Sequence, residues 1–308
     1  MSKQKIEESN QEITNIIIGI LEDGKTSGTF ELPWNLADGA PHNPVTKRSY
    51  FGNYNSLILS VHSMKWADTR WAGASQWKKS GNLIKKGEKG TSIFFPRLSC
   101  AGCNKSVGFS KKCGGCGKDL KKAADKYCTG WGSSCVFNNQ QTNEPLPSVV
   151  REEIYPEKTF QAAAAFVKNI GADVRDGGGR AFYRPSDDFI GMPSSDLFKD
   201  AAGYWSTSLH EHVHWTGHES RLKRDGIVKF SGFGSESYAF EELVAELGAA
   251  FLCTHLGVKR EGLIDNHAAY VGSWITRLKS DPNAIRDASV QAGAAMRYLM
   301  DKGEGAKR

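Results

Sequence analysis

The sequence predicts an α+β protein built from two domains, and three observations carry that reading. The excess of positive over negative charge is confined to the first half, four cysteines form two closely spaced pairs, and two helical segments hold His and Glu at metal-ligand spacing. The chain of 308 residues has room for two domains. Residues 1–150 hold 20 Lys and Arg against 12 Asp and Glu, whereas residues 151–308 hold 20 against 22. The polar, Pro-containing stretch Asn138 to Ser148 (N-N-Q-Q-T-N-E-P-L-P-S) reads as a connection. The expected division is therefore 1–140 and 151–308, joined by 141–150.

The elements follow from periodicity and punctuation. Ile6, Ile13, Ile16, Ile17, Ile20 and Leu21 recur at helical spacing and predict a first helix ending near Gly24. Pro33 to Pro44 is dense in turn residues, Asn55 to Trp66 reads as a helix, and Thr91 to Phe95 reads as a strand stopped by Pro96. In the second half, Thr159 to Asn169 predicts a helix stopped at Gly171. The extended stretch Asp188 to Pro193 is expected as an edge strand. Helical patterns follow at about 202–216, 237–256 and 262–279, and a last one begins at Pro282 with Asp281 as its cap. No apolar run reaches the roughly 20 residues of a membrane span, and the first residues lack the pattern of a signal peptide. A cytoplasmic location is expected, which makes the seven cysteines ligands or free thiols rather than disulfides.

Cys100-A-G-Cys103 and Cys113-G-G-Cys116 have the spacing of a two-knuckle zinc ribbon, inserted at about 97–135. A site of four thiolates has no open position and is expected to be structural. Cys128 and Cys135 are alternative members or free thiols, and Cys253 on an apolar helix reads as core. Between Trp34 and Phe95, ahead of the ribbon, aromatic and basic residues are interleaved. Trp34, Lys47, Arg48, Tyr50, Tyr54, Trp77, Lys78, Lys79, Lys85, Lys86 and Lys89 are the candidate single-stranded-DNA contacts, because cations neutralise phosphate and ring faces stack on unpaired bases.

The second half carries S-L-H-E-H-V-H-W-T-G-H from Ser208 to His218. Residues four apart on a helix share a face, so His210 and His214 can hold one ion, with Glu211 placed as general base. His212, about 200° round the helix from His210, should face elsewhere. His218 arrives two residues too early for the third histidine of the longer H-E-x-x-H-x-x-G-x-x-H pattern. The third ligand is expected from S-Y-A-F-E-E-L-V-A-E, with Glu242 as ligand, Glu246 as the carboxylate orienting a ligand histidine, and Glu241 as the lesser candidate. Tyr204 and Tyr238 flank the two motifs as candidate oxyanion donors. Zn2+ is expected at both sites, with Mn2+ or another divalent ion as an alternative at the His/Glu one.

These motifs resemble the ArdC-type antirestriction proteins of conjugative plasmids, whose first domain is shared with TraC-type plasmid primases. In the first half the likeness rests on P-W-N at 33–35, N-P-V-T-K-R-S-Y-F-G-N-Y-N at 43–55 and K-K-G-E-K-G at 85–90. In the second it rests on H-E-x-x-H-W-T-G-H at 210–218, R-L at 221–222, F-G-S at 233–235 and Y-A-F-E-E-L-V-A-E at 238–246. The resemblance implies an N-terminal single-stranded-DNA-binding domain, a C-terminal zincin-like metallopeptidase domain of gluzincin or SprT-like type, and protection of incoming DNA from host restriction. DNA-bound host proteins or restriction enzymes are its implied substrates. A more distant likeness to SprT/Spartan proteases, and a non-catalytic DNA-coating protein with a structural metal site, are the alternatives. The cysteine segment is longer than that of the family.

Overall fold

The computed structural model describes residues 3–27, 39–50, 54–108, 110–120, 123–147, 156–229, 235–259 and 270–305. Helix α1 (Lys3–Ser27) runs about one turn past the expected Gly24. Two short strands, β1 (His42–Asn43) and β2 (Arg48–Ser49), precede α2 (Tyr54–Ser63). Strand β3 (Trp71–Ala72), helix α3 (Ala74–Lys79) and the long strands β4 (Thr91–Cys100) and β5 (Lys126–Asn138) complete this half. The sheet is antiparallel in the order β3-β5-β4. Strand β4 does not stop at Pro96, which pairs with Trp131 and lets the strand reach Cys100. As an edge strand, β4 tolerates the missing N–H.

The second half opens with α4 (Pro156–Ile170), ended by Gly171 at φ 74°, the left-handed stop expected there. Strands β6 (Asp173–Asp176), β7 (Phe182–Arg184) and β8 (Phe189–Met192) then form a sheet in the order β6-β8-β7. This overturns the expected edge strand: β8 lies in the middle, parallel to β6 and antiparallel to β7. Its F-I-G-M is buried along its whole length, the mark of a strand covered on both faces. Gly191 is required there, since a Cβ would fall 2.7 Å from the Phe182 ring. Helices α5 (Ala201–Thr216), α6 (Asp225–Val228), α7 (Glu236–Leu256), α8 (Val271–Ser280) and α9 (Ala284–Gly303) follow. The cap of α9 is Asn283 rather than Asp281, although Asp281 accepts from the Asn283 N–H. Part of the expected 262–279 helix lies outside the described residues.

The largest core cluster among the described residues draws on both halves of the chain. Ile13, Ile17 and Leu21 of α1 and Leu57 and Ile58 of α2 share it with Leu243, Leu247, Trp274, Leu278, Ile285 and Met296. Polar bonds fasten the same contact, with Asn10 donating to Asn283 Oδ1 and Thr14 to the Pro282 carbonyl. The connection is equally tied down. Asn138, Asn139, Gln141 and Thr142 are buried, and Asp68 accepts from Asn139 and Gln140 while Arg70 donates to the carbonyls of Leu146 and Pro147.

Candidate metal centre

Helix α5 is capped by Asp200, whose carboxylate accepts from the Gly203 N–H, and helix α7 by Ser235, which accepts from Tyr238 N–H. The two helices cross closely because α7 carries Gly248 opposite Val213; a Cβ there would lie 2.8 Å from Val213 Cγ2. This crossing brings Glu242 to the expected pair. His210 Nε2 is 3.4 Å from Glu242 Oε2, His214 Nε2 is 3.5 Å from Glu242 Oε1, and the two Nε2 atoms are 3.0 Å apart. All three residues are buried and their ligand atoms lie within 4.8 Å of one another.

The outer nitrogens decide what this convergence means. His214 Nδ1 lies 3.1 Å from Glu241 Oε1 and His210 Nδ1 lies 3.8 Å from Glu246 Oε2. A carboxylate beside each Nδ1 favours the tautomer protonated there, leaving both Nε2 lone pairs turned inward. Two imidazole lone pairs and a carboxylate then point at one spot, a donor set that calls for a cation. Burial opposes charge on His214, but the carboxylates of Glu242 and Glu241 outweigh it and push its pKa up to about 10, so an ion binding at Nε2 would displace a proton. Burial likewise acts to raise Glu242, and the two histidines override it to hold the carboxyl far below its ordinary value. The residues fit a divalent metal ion, with Glu211 buried one position beyond His210.

Glu246 stands where expected, but Glu241 is also an outer carboxylate and not merely a lesser ligand candidate. Arg224 holds it from behind, with Nε 2.9 Å from Oε2 and Nη2 2.6 Å from Oε1, and also donates to Thr216 Oγ1 and the Val213 carbonyl. Arg224 carries no signal in the sequence, since nothing in its spacing links it to the histidines. His212 is a bystander as expected: its Nδ1 bonds the Ser208 carbonyl at 2.6 Å, and burial takes its pKa down to about 4. His218 is turned to Ser220, whose backbone N–H and hydroxyl it engages. Tyr238 stacks near His214, while Tyr204 packs edge-on against Phe198 and Trp205.

The cysteines form the second candidate metal group. Cys100 Sγ lies 3.7 Å from Cys116 Sγ and Cys103 Sγ lies 3.5 Å from Cys113 Sγ. A zinc tetrahedron with Zn–S bonds of about 2.3 Å has edges of about 3.8 Å, so these spacings suit an ion and not a disulfide. The two knuckles repeat one backbone pattern. Cys100 N–H bonds Lys105 O as Cys113 N–H bonds Lys118 O, and Asn104 and Gly117 take matching positive φ values of 60° and 74°. Amides of Gly102 and Gly115 donate to Cys100 and Cys113 sulfurs. Cys128 and Cys135 are exposed on β5 and outside this group, and Cys253 is in the core.

Of the candidate DNA contacts, Lys47, Arg48, Lys78, Lys79, Lys85, Lys86 and Lys89 are exposed. Tyr50 is half-buried with its hydroxyl on the Trp71 carbonyl. Two residues are corrected. Tyr54 is buried, donates to Asn10 and stacks on Phe94, and Trp77 is buried and donates to the Phe137 carbonyl. Their rings are occupied by core packing and offer no face to a base. Trp34 lies outside the described residues.

Comparison with known proteins agrees with this architecture. Residues 7–111 match the model of the N-terminal domain of the anti-restriction factor ArdC, and residues 161–291 match that of a zincin-like metallopeptidase. A crystal structure of antirestriction ArdC protein from R388 plasmid, metal-free, superposes with a TM-score of 0.71 at 30% identity, covering 97% of this chain and 99% of that one. The chain belongs to the ArdC family. The Mn(II)-bound structure of the same ArdC gives a TM-score of 0.70 at 30% identity, over 96% and 98% of the two chains. Among sequences, an uncharacterised protein y4eC of Sinorhizobium fredii is 32% identical over 92% of this chain and 88% of its own length. DNA primase TraC of Escherichia coli is 37% identical over 94% of this chain, which spans only 27% of that primase. The candidate metal centre thus falls within the zincin-like match, and the cysteine group straddles the end of the ArdC N-terminal match, with Cys113 and Cys116 just beyond residue 111. Among the described residues no helix is long and apolar enough to cross a membrane.

Proposed function

We propose that this ArdC-type protein binds single-stranded DNA through its basic first half and carries a metal-dependent peptidase site in its second, protecting incoming plasmid DNA from host restriction. The observation that carries the reading is the convergence of His210, His214 and Glu242, with Glu211 buried next to His210 in the chain. Zn2+ suits two imidazoles and a carboxylate, and Mn2+, which the R388 relative binds, is the alternative. Bound there, the ion supplies Lewis acidity toward a carbonyl. Glu211 accepts the proton released from the attacking water and returns it to the leaving amine. Glu241, held by Arg224, and Glu246 keep the imidazoles facing inward. The substrates are proteins bound to DNA, restriction enzymes among them. The four-cysteine group binds a structural Zn2+, and the protein acts in the cytoplasm.

A second reading is favoured by one feature: the ligands and Glu211 are nearly inaccessible. In it the ion is structural, and DNA coating alone protects. Glu211→Gln separates the two, because it preserves metal binding and removes the base. Transfer of unmodified plasmid into a restricting host is expected to lose protection with Glu211→Gln at unchanged metal content. Full protection by that variant would rule out hydrolysis and leave the coating reading.

A further inference from the structure

The β4–β5 hairpin carries the ribbon at its tip, and one of its faces has a composition unsuited to water alone. Paired residues share a face, so Phe95–Gly132, Arg97–Gly130 and Ser99–Tyr127 lie together on it, with a β-bulge at Thr129 between the last two pairs. Phe95 is 36% exposed and Tyr127 42%, and Arg97 between them is exposed. Glycines stand opposite two of the three. A Cβ on Gly132 would fall 2.5 Å from Phe95 Cε2, so the ring lies flat across the neighbouring strand; a Cβ on Gly130 would meet nothing within 4 Å. The bare backbone leaves a shelf beside Arg97. The Tyr127 hydroxyl donates to Asn104 of the first knuckle, which steadies that ring. At its inner end the same face reaches Ile93, packed with Tyr50 and Trp66 around Leu59, Trp71 and Val136, and Lys65 lies 5.0 Å over the Trp66 ring.

Charge identifies the occupant. Residues 91–138 contain eight Lys and Arg and two acids, and Lys105, Lys111 and Lys112 on the ribbon are exposed. The opposite face also exposes an aromatic, Trp131 at 53%, but its strand neighbours are Phe94, Pro96 and Leu98, with no cation among them.

We propose that the Phe95–Arg97–Tyr127 face of the hairpin is a stacking platform for single-stranded nucleic acid, leading the strand toward the ribbon. Phe95 and the Ser99–Tyr127 pair stand four residues apart, about 13 Å along the strand, with Arg97 midway to meet a phosphate. Unpaired bases stack on such rings whatever their sequence, whereas a duplex keeps its bases unavailable. The proposal rests on the single-strand reading above and places the strand on an element to which spacing alone assigns only a structural ion.

Fluorescence anisotropy of the full-length protein with labelled oligothymidine tests it. Phe95→Ala with Tyr127→Ala is expected to weaken binding about tenfold or more. Phe95→Leu, which keeps apolar bulk and removes the ring, should also weaken it, while Trp131→Ala leaves it unchanged. Arg97→Ala should lower the log–log salt slope by about 0.7, the share of one phosphate contact on a single strand. Zinc content and far-ultraviolet circular dichroism identify a variant that has lost the ribbon, in which case Phe95→Leu decides. Wild-type affinity for oligothymidine with no loss in these variants would overturn the platform and leave single-strand binding in place, as would an equal loss from Trp131→Ala. A wild-type protein that prefers duplex of the same length would overturn both.

Discussion

Two adjacent glutamates on α7 divide the control of one histidine. Glu242 faces His214 Nε2 from the metal side, and Glu241 meets Nδ1 from the other. Glu241 is itself fixed by the buried Arg224, so carboxylate, guanidinium and imidazole form one chain of bonds. Outer partners of this kind typically govern metal affinity by roughly ten- to a hundredfold. Glu241→Gln, which keeps the shape and removes the charge, is expected to weaken metal binding by about that factor, measured by competition with a chelating dye. Unchanged affinity would show that Glu241 serves the fold alone. Arg224→Ala should be the more destabilising change, about 3–5 kcal/mol, because it strands a buried carboxylate. Asp68 shows the same principle away from the metal. Burial acts to raise its pKa, but bonds from Arg70, Asn139 and Gln140 prevail and hold it below the ordinary carboxylate value. A depressed folded-state pKa contributes stability that is present above the unfolded value and lost as pH falls through the folded one. Stability should therefore fall below about pH 4, and Asp68→Asn should flatten that acid limb in denaturant titrations.

At the scale of elements, the crossing of α5 and α7 is what assembles the centre, and Gly248 permits it. An added methyl would sit 2.8 and 2.9 Å from the two Val213 methyl carbons, and Val213 is fully buried between the ligand-bearing turns. Gly248→Ala is expected to lower stability by about 1–3 kcal/mol, read as a shifted denaturation midpoint with unchanged slope. Val213→Ala in the same chain should restore part of the loss, giving a coupling that a pair of independent sites would lack. The hairpin illustrates the converse case. Pro96 is accommodated because β4 is an edge strand, so an apparent stop signal became the middle of a ten-residue strand that carries the ribbon.

For the molecule as a whole, α1 is the decisive element. It begins in the half that matches the ArdC N-terminal domain, yet its apolar stripe packs with α8 and α9, and Asn10 and Thr14 bond residues 282 and 283. Deleting residues 1–27 would expose a strip of the core that holds α7 in place. The truncated protein is expected to melt well below the intact one and to lose metal from the His/Glu site, measured by thermal unfolding and metal analysis. A truncation that keeps both would show the C-terminal helices to be self-sufficient.

Local chemistry is legible along a chain, because helical spacing, knuckle spacing and charge are properties of neighbouring residues. The amino-acid sequence by itself therefore determined His210, Glu211 and His214 as a unit, the four ribbon cysteines, the helices that bear the site, and the net positive charge of the first half. Contacts between distant segments depend on how faces pack, and no spacing rule encodes them. Only the tertiary structure decided that Arg224 anchors Glu241, that β8 is central, that Tyr54 and Trp77 are core, and that α1 closes the C-terminal core. The physical reason is common to all four: burial is a property of the assembled surfaces, and an aromatic or a short extended run has the same appearance in sequence whether its final neighbour is water or another side chain.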